Sequence, residues 1–326
     1  MLVAGLVAEA AGYLLISTSI SFPFWLAGLA LDGIGGCAYN AAGKVVIARA
    51  STEQNSAASF VGFYVATNVG ALLGPLAAAL LATASPHAVL ALSTVVYVAA
   101  AGAAVVRIRR ISAKEPQHTS WTAAFEPARN RTFLVYCALT TPLWFGTTLL
   151  FTGIPLEAAS RGLGYVAIGI INAMNALMLI ALGRWIGRRA DGRTPRQRTV
   201  ILCGGAVAMA GGCLLCLPTA GWLLYVSVFV LTFGELALIA AADVLAVQFA
   251  PPEATGTYLG YVTTAWAVGG ILAGLLAGAL LDGSQSGHLL FWTVSAVIIG
   301  LDAIAWMIFA RRAFIVRTTQ KVRELR

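Results

Sequence analysis

The sequence predicts an all-α, polytopic membrane protein: a helical bundle in two related halves, with about ten transmembrane helices, four before a central linker and six after it. Three observations carry this fold class. The chain is 59% hydrophobic and only 10% charged, with a mean hydropathy of +0.84, whereas soluble globular domains carry roughly a quarter charged residues. Its apolar runs recur at the length of about 20 residues that crosses about 30 Å of hydrocarbon. The stretch GFYVATNVGALLGPLAAALLA at 62–82 is echoed by GYVTTAWAVGGILAGLLAGALL at 260–281, so the bundle is doubled.

In chain order, spans are expected at 2–20, 22–46, 57–83, 87–106, 132–155, 164–186, 199–218, 221–248, 256–281 and 288–310. The third tolerates Gly70, Gly74 and Pro75 because small residues four apart let helices approach closely in lipid, where neighbouring helices also re-satisfy a carbonyl freed by proline. The stretch 107–131, RIRRISAKEPQHTSWTAAFEPARNR, is the only long polar one between spans. It is read as a linker dividing an N-terminal half (1–106) from a six-helix C-terminal half (132–310), with 311–326 as a basic tail.

An even number of spans puts both termini on one side of the membrane. Arg107, Arg109, Arg110, Lys114, Arg129 and Arg131, then Arg184, Arg188, Arg189, Arg193, Arg196 and Arg198, then the basic tail, all fall on that side. The opposite connections hold only Arg161, with Glu157, Asp282, His87 and His288. The positive-inside rule makes the basic side cytoplasmic and predicts a multi-pass protein of the cell membrane. Trp25, Trp222 and Trp292 suit an outer aromatic belt.

Matching Gly70 to Gly269 gives a repeat offset of 199 residues, with Val69, Leu73 and Pro75 opposite Val268, Leu272 and Gly274. The preceding helix agrees: Ala41-Ala42 with Ala241-Ala242, Ala50 with Ala250, Glu53 with Glu253. Parallel repeats of this kind build transporters with two-fold pseudosymmetry. Met1 then falls opposite about Val200, and 132–198 have no counterpart in the first half. The symmetry calls for two further N-terminal helices, missing through a late start assignment or a truncation.

Other classes are disfavoured. The net charge of +8 sits in short clusters between spans, which is the pattern of topology signals and not of a nucleic-acid surface. The five cysteines lie in apolar runs, and Cys213-x-x-Cys216 lacks the second ligand pair of a metal site. No cofactor and no metal are expected. A membrane-embedded transferase would want paired aspartates, or a histidine with carboxylates, at a cytoplasmic helix end, and no such cluster occurs, so the chain is not read as an enzyme. A G-x-x-x-x-G-K-[ST] nucleotide loop is absent, and MLVAGLVAEAAG lacks the basic lead-in of a secretory signal.

Three partial motifs give the chain a resemblance to the major facilitator superfamily. Gly70-x-x-x-Gly74-Pro75 is similar to the core of the fifth-helix antiporter motif of exporters, although Val61 and Ala78-Ala79 stand where glycines are usual. Gly187-Arg188-Arg189-Ala190-Asp191 with Arg193 and Arg196 resembles a worn G-x-x-x-D-R-x-G-R-[RK] loop, from which Gly192 and Thr194 depart. Asp32-Gly33-Ile34-Gly35-Gly36 resembles the fourth-helix R-x-x-x-G-x-G stretch, with Leu29 in place of the arginine. The resemblance implies two six-helix halves, of which this chain supplies the third to twelfth helices, around a central cavity lined by the first, fourth, seventh and tenth.

Ionisable groups inside spans are costly, about 2.5–3.5 kcal/mol at a helix centre, so each needs an account. Asp32, Glu235 and Asp243 would fall on helices that line the implied cavity. A carboxylate alternately exposed to a dry interior and to water can take up a proton at one membrane face and release it at the other. Proton coupling or binding of a cationic substrate is one reading of these acids, and hydrogen bonds between helices are the other. Lys44 reads as a snorkelling residue at the inner boundary, and Glu9 and Asp302 as inter-helix contacts. Asn40, Asn68, Thr140, Thr147, Asn172 and Asn175, beside Trp144, form a polar stripe that suits an amphipathic organic substrate or plain helix contacts. Asp191 with Arg188, Arg189 and Arg193 reads as a gating latch, or simply as a topology signal.

The expectation is a secondary transporter, proton-coupled and exporting drugs or small organic metabolites by rocking of its halves, with the lipid bilayer, protons and a small-molecule substrate as its partners. Metabolite uptake by the same fold, and an inactive remnant, are the alternatives.

Overall fold

The computed structural model describes residues 1–18, 21–52, 54–82, 86–111, 125–281 and 283–324. They form α1 (Leu2–Thr18), α2 (Phe22–Ala50), α3 (Ser56–Ala82), α4 (Pro86–Ile111), α5 (Glu126–Arg129), α6 (Arg131–Leu149), α7 (Gly153–Ser160), α8 (Tyr165–Ala190), α9 (Pro195–Leu215), α10 (Gly221–Phe249), α11 (Thr255–Leu280) and α12 (Gln285–Glu324), with no strand among the described residues. Each expected span has its helix. The expected span 132–155 is broken: α6 contains Pro142 and gives way to α7 after a turn. α6 starts where the Asn130 side chain accepts from the Phe133 amide, and α9 where Thr194 and Gln197 cap one another reciprocally.

Eight of these helical stretches are long and apolar enough to cross a membrane. α1 is apolar but only 17 residues long, and α2, diluted by glycines and Asp32, is 29 residues long, about 43 Å at 1.5 Å per residue. Two expected boundaries shift. α4 runs on to Ile111, inside the expected linker, and α12 runs through most of the expected tail. The rest of the linker, 112–124, Lys114 included, and Asp282 lie outside the described residues.

The internal repeat appears as repeated packing. α1 lies on α2 and α4 as α9 lies on α10 and α12, and across the halves α2 meets α11 while α3 meets α10. Glycines set the closest approaches. A Cβ on Gly5 would come within 2.7 Å of the Gly35 carbonyl oxygen, and one on Gly205 within 3.1 Å of that of Gly234. These two seams sit at nearly the repeat offset, so the same small-residue contact holds both helix pairs.

Two cores result. One fills the second half around Phe133, Tyr136, Met209, Phe291, Trp292 and Trp306. The other joins the halves, with Ala57, Phe60 and Val61 of α3 packed on Leu179 and Ala190 of α8 and on Leu236, Ile239 and Ala240 of α10. The echoed glycines differ. Gly269 packs on α6, where a Cβ would meet the Phe145 nitrogen at 2.7 Å, whereas Gly70 and Gly74 have nothing within 4 Å of theirs. The described first half presents no helix equivalent to α6 beside them, so their expected close approach is not made here.

Candidate functional site

The C-terminal ends of α2, α8 and α10 and the N-terminal ends of α3 and α11 gather at one end of the bundle, and there the halves bond to one another. Lys44 of α2 donates to Asp243 Oδ1 of α10 at 3.1 Å, with the two side chains 4% and 1% exposed. Tyr64 of α3 donates its hydroxyl to Asp243 Oδ2 at 2.9 Å. The Lys44 ammonium also lies over the rings of Tyr64 and Trp144, 5.2 and 5.9 Å from their centroids. Four helices, α2 and α3 of the first half and α6 and α10 of the second, thus close around one desolvated charge pair, whose aromatic walls favour the cation. This corrects the reading of Lys44 as a snorkelling residue: its helix position gave the depth, but tertiary packing turns it inward.

A second bond lies close by. Asp191, at the C-terminal end of α8, accepts from the backbone amides of Ala57 and Ala58 at 2.8 and 3.3 Å, in the first turn of α3. A carboxylate there satisfies amides that a helix start leaves free and meets the positive end of its dipole. Asp191 was expected to hold Arg188, Arg189 or Arg193; the structure places it on amides of the other half instead. Gly183 and Gly187 precede it at four-residue spacing on the same face. A Cβ on Gly187 would sit 2.9 Å from Ala58 Cα, and one on Gly183 2.7 Å from Val65. Gly183, Gly187 and Asp191 are therefore the strip of α8 on which α3 rests. Gly183 was missed, although the G-x-x-x-G spacing is legible.

Glu235 lies on the same helix as Asp243 but faces another partner. Asn175 of α8 donates to Glu235 Oε2 at 2.7 Å and to Thr232 Oγ1 at 3.0 Å. Tyr64 bonds Asp243 and not Glu235. Asn175 Oδ1, Thr147 Oγ1 and Trp144 Nε1 are buried without a hydrogen-bond partner, which leaves the candidate polar stripe with unmet bonding capacity on α6 and α8. Thr140 is satisfied within its own helix by the Cys137 carbonyl, and Asn68 by that of Tyr64. Asn40 is half-buried and Asn172 exposed; neither joins the charge pair. The side chain of Pro75 lies outside the described ones.

Asp32 is half-buried in the first half, away from the charge pair. It interacts with Glu9 of α1, which is hydrogen-bonded to Tyr97 of α4. Gly36 leaves room for this carboxylate, since a Cβ there would stand 3.2 Å from Glu9 Oε1. Glu9 was read as an inter-helix contact, and its place beside Asp32 could not be foreseen without the α1–α2 register.

At the opposite end of the second half, Glu157 of α7 is 2% exposed and accepts from Arg161 Nε at 2.6 Å, His288 Nδ1 at 2.8 Å and Trp292 Nε1 at 3.0 Å. Arg161 also reaches the Cys216 and Ala220 carbonyls. This cluster ties α7, the α9–α10 connection and α12 within one half, so it braces that half and leaves the junction between halves to the Lys44 end. No group of three or more candidate metal ligands occurs among the described residues.

Comparison with known proteins agrees with this architecture. The human organic anion transporter MFSD10 (TETRAN) superposes with a TM-score of 0.69 at 15% identity, over 94% of this chain and 76% of that one. A variant of the E. coli fucose:proton symporter FucP gives 0.68 at 14% identity, over 94% and 83%, and FucP in the outward conformation gives 0.68 at 13% identity, over 94% and 82%. At these identities the likeness is one of fold. By sequence, no curated protein matches. The family profile of the Major Facilitator Superfamily matches residues 1–274 and 196–325, and with the doubled packing of α1, α2 and α4 on α9, α10 and α12 this establishes that the chain is a multi-pass membrane protein belonging to the Major Facilitator Superfamily.

Proposed function

We propose that the protein is a proton-coupled exporter of drugs or small organic metabolites, seated in the cell membrane with both termini in the cytoplasm and working by alternating access. The observation that carries the reading is the Lys44–Asp243 pair: a buried ion pair between halves, at 3.1 Å, that must be broken for the halves to part at that end. Protonation of Asp243, or its exchange of Lys44 for another partner, is the chemical event that releases it. Glu235 and its Asn175 partner supply a second carboxylate on the same helix, and Asp32 with Glu9 a third site in the first half. The partnerless Asn175, Thr147 and Trp144 atoms are the groups offered to a polar substrate. With the basic end cytoplasmic, a closed Lys44 end is an outward-facing state. Export in preference to uptake rests on the Gly70-x-x-x-Gly74-Pro75 motif.

The test uses everted membrane vesicles energised by a proton gradient, with a panel of organic cations and anions such as ethidium and fluorescein. Accumulation in the vesicles is expected for the parent, abolished in Asp243→Asn and at least tenfold slower in Glu235→Gln. Unchanged proton-dependent transport in both variants would remove the coupling sites. Accumulation only in right-side-out vesicles would reverse the direction, and none in either orientation would favour an inactive chain.

A further inference from the structure

We infer that the groove between the C-terminal end of α8 and the N-terminal end of α9, floored by α10, binds an anionic phospholipid drawn from the membrane leaflet at that end. The groove is a cavity of about 890 Å³ whose innermost lining, Ala190 and Ala240, belongs also to the core that joins the halves. Its rim carries Arg189, Arg193 and Arg196, and its floor is apolar, formed by Val200, Phe233 and Ala237 among others. Trp185 stands at its edge with the Arg189 guanidinium carbon 4.2 Å from its ring centroid.

Charge complementarity picks the occupant. The single carboxylate of the α8–α9 connection, Asp191, is engaged with the Ala57 and Ala58 amides, and among the described residues none of the three arginines is in an ion pair. Arg193 donates through Nε to the Arg189 carbonyl at 3.0 Å, which holds its guanidinium beside that helix end. Three exposed cations therefore face the groove with no counter-charge of the protein. A free anion would need only the rim. The floor, by contrast, lies on spanning helices whose groove-lining residues Trp185, Val200 and Phe233 are 53%, 59% and 40% exposed, so an acyl chain is what covers it and a phosphodiester is what meets the arginines. Basic pockets between spanning helices at the cytoplasmic surface have the chemistry that selects acidic headgroups. The strip of α8 that carries α3 is the neighbouring face of the same helix end, so an occupied groove would brace the junction of the halves from outside.

The experiment is native mass spectrometry of the full chain, released from micelles containing equal amounts of phosphatidylglycerol and phosphatidylcholine with the same acyl chains. The parent is expected to retain phosphatidylglycerol. Each arginine near the surface contributes about fivefold, so Arg189→Gln with Arg193→Gln and Arg196→Gln should weaken retention about a hundredfold; all three side chains are exposed, and the fold should tolerate their loss. Val200→Trp, which fills the floor and keeps the cations, should also expel the lipid. Equal retention of both lipids by the parent, or undiminished phosphatidylglycerol in the triple variant, would overturn the proposal. Displacement by excess inorganic phosphate, or retention in Val200→Trp, would make the site one for small anions and overturn it equally. The readout is binding, so it stands or falls independently of transport.

Discussion

Lys44 and Asp243 are 199 positions apart, the offset of the internal repeat, and they touch. Equivalent points of two halves related by a two-fold rotation can meet only close to the axis. The exchange of α2 on α11 for α3 on α10 places that axis between the halves, and the pair sits beside it. The repeat has thus been kept in backbone and broken in charge: one copy carries an ammonium where the other carries a carboxylate, and the two neutralise one another beside the axis.

Removing one member should cost far more than removing both. A buried charge left without its partner costs about 3–5 kcal/mol, whereas a neutral pair of similar volume is often tolerated. Lys44→Met and Asp243→Asn are each expected to lower the thermal midpoint in detergent, and the double variant to recover most of the loss. If both single variants melt with the double, the pair contributes nothing to the closed state.

Asp191 holds the same junction through a helix start. Losing a capping carboxylate costs about 1 kcal/mol, too little to unfold the bundle but enough to shift two states of similar energy by about fivefold. Asp191→Ala should therefore leave the melting midpoint nearly unchanged while amide exchange at Ala57 and Ala58 speeds up. Unaltered exchange there would mean that α3 is held without the cap.

The strip on α8 gives a steric counterpart. A Cβ on Gly187 would lie 2.9 Å from Ala58 Cα, a backbone atom that cannot yield without moving α3. Gly187→Leu should hold the halves apart at this end and stop transport, with spin labels on exposed positions of α3 and α8 reporting a longer distance. Gly274→Leu, which has open space around it, is the matched control and should behave as the parent.

How much of this was legible follows from what a sequence encodes. Spans and repeat depend on composition and spacing, and each expected helix was found. Partner choice depends on rotation and register between helices, which apolar sequence barely records. So Asp243 and Glu235 were both read as acids on helices lining one implied cavity, yet one turns to α2 and α3 and the other to α8. Lys44 was legible only as a cation at the inner boundary of its span; its spacing of one repeat from Asp243 takes on meaning only from the position of the axis. Gly70 and Gly74 show the converse: their spacing promised a close helix contact, and the described chain offers none.

The opposite end of the second half makes the last prediction, because its charge cluster has the same chemistry as the junction with a different connectivity. Glu157 takes three donors, two of them on α12, while Arg161 and His288 also reach the carbonyls of Cys216, Ala220 and Leu217. Both ring nitrogens of His288 face acceptors, one the Glu157 carboxylate and the other the Leu217 carbonyl. Since every partner belongs to one half, opening and closing at the Lys44 end leaves the cluster intact. Glu157→Gln would keep the shape but remove the charge that Arg161 answers, at a cost of about 3 kcal/mol for a buried group. The expected result is a lower melting midpoint with proton dependence of transport preserved in the surviving fraction. Thermal melts paired with vesicle assays separate the two; a changed proton dependence at unchanged stability would move Glu157 from the brace into the coupling path.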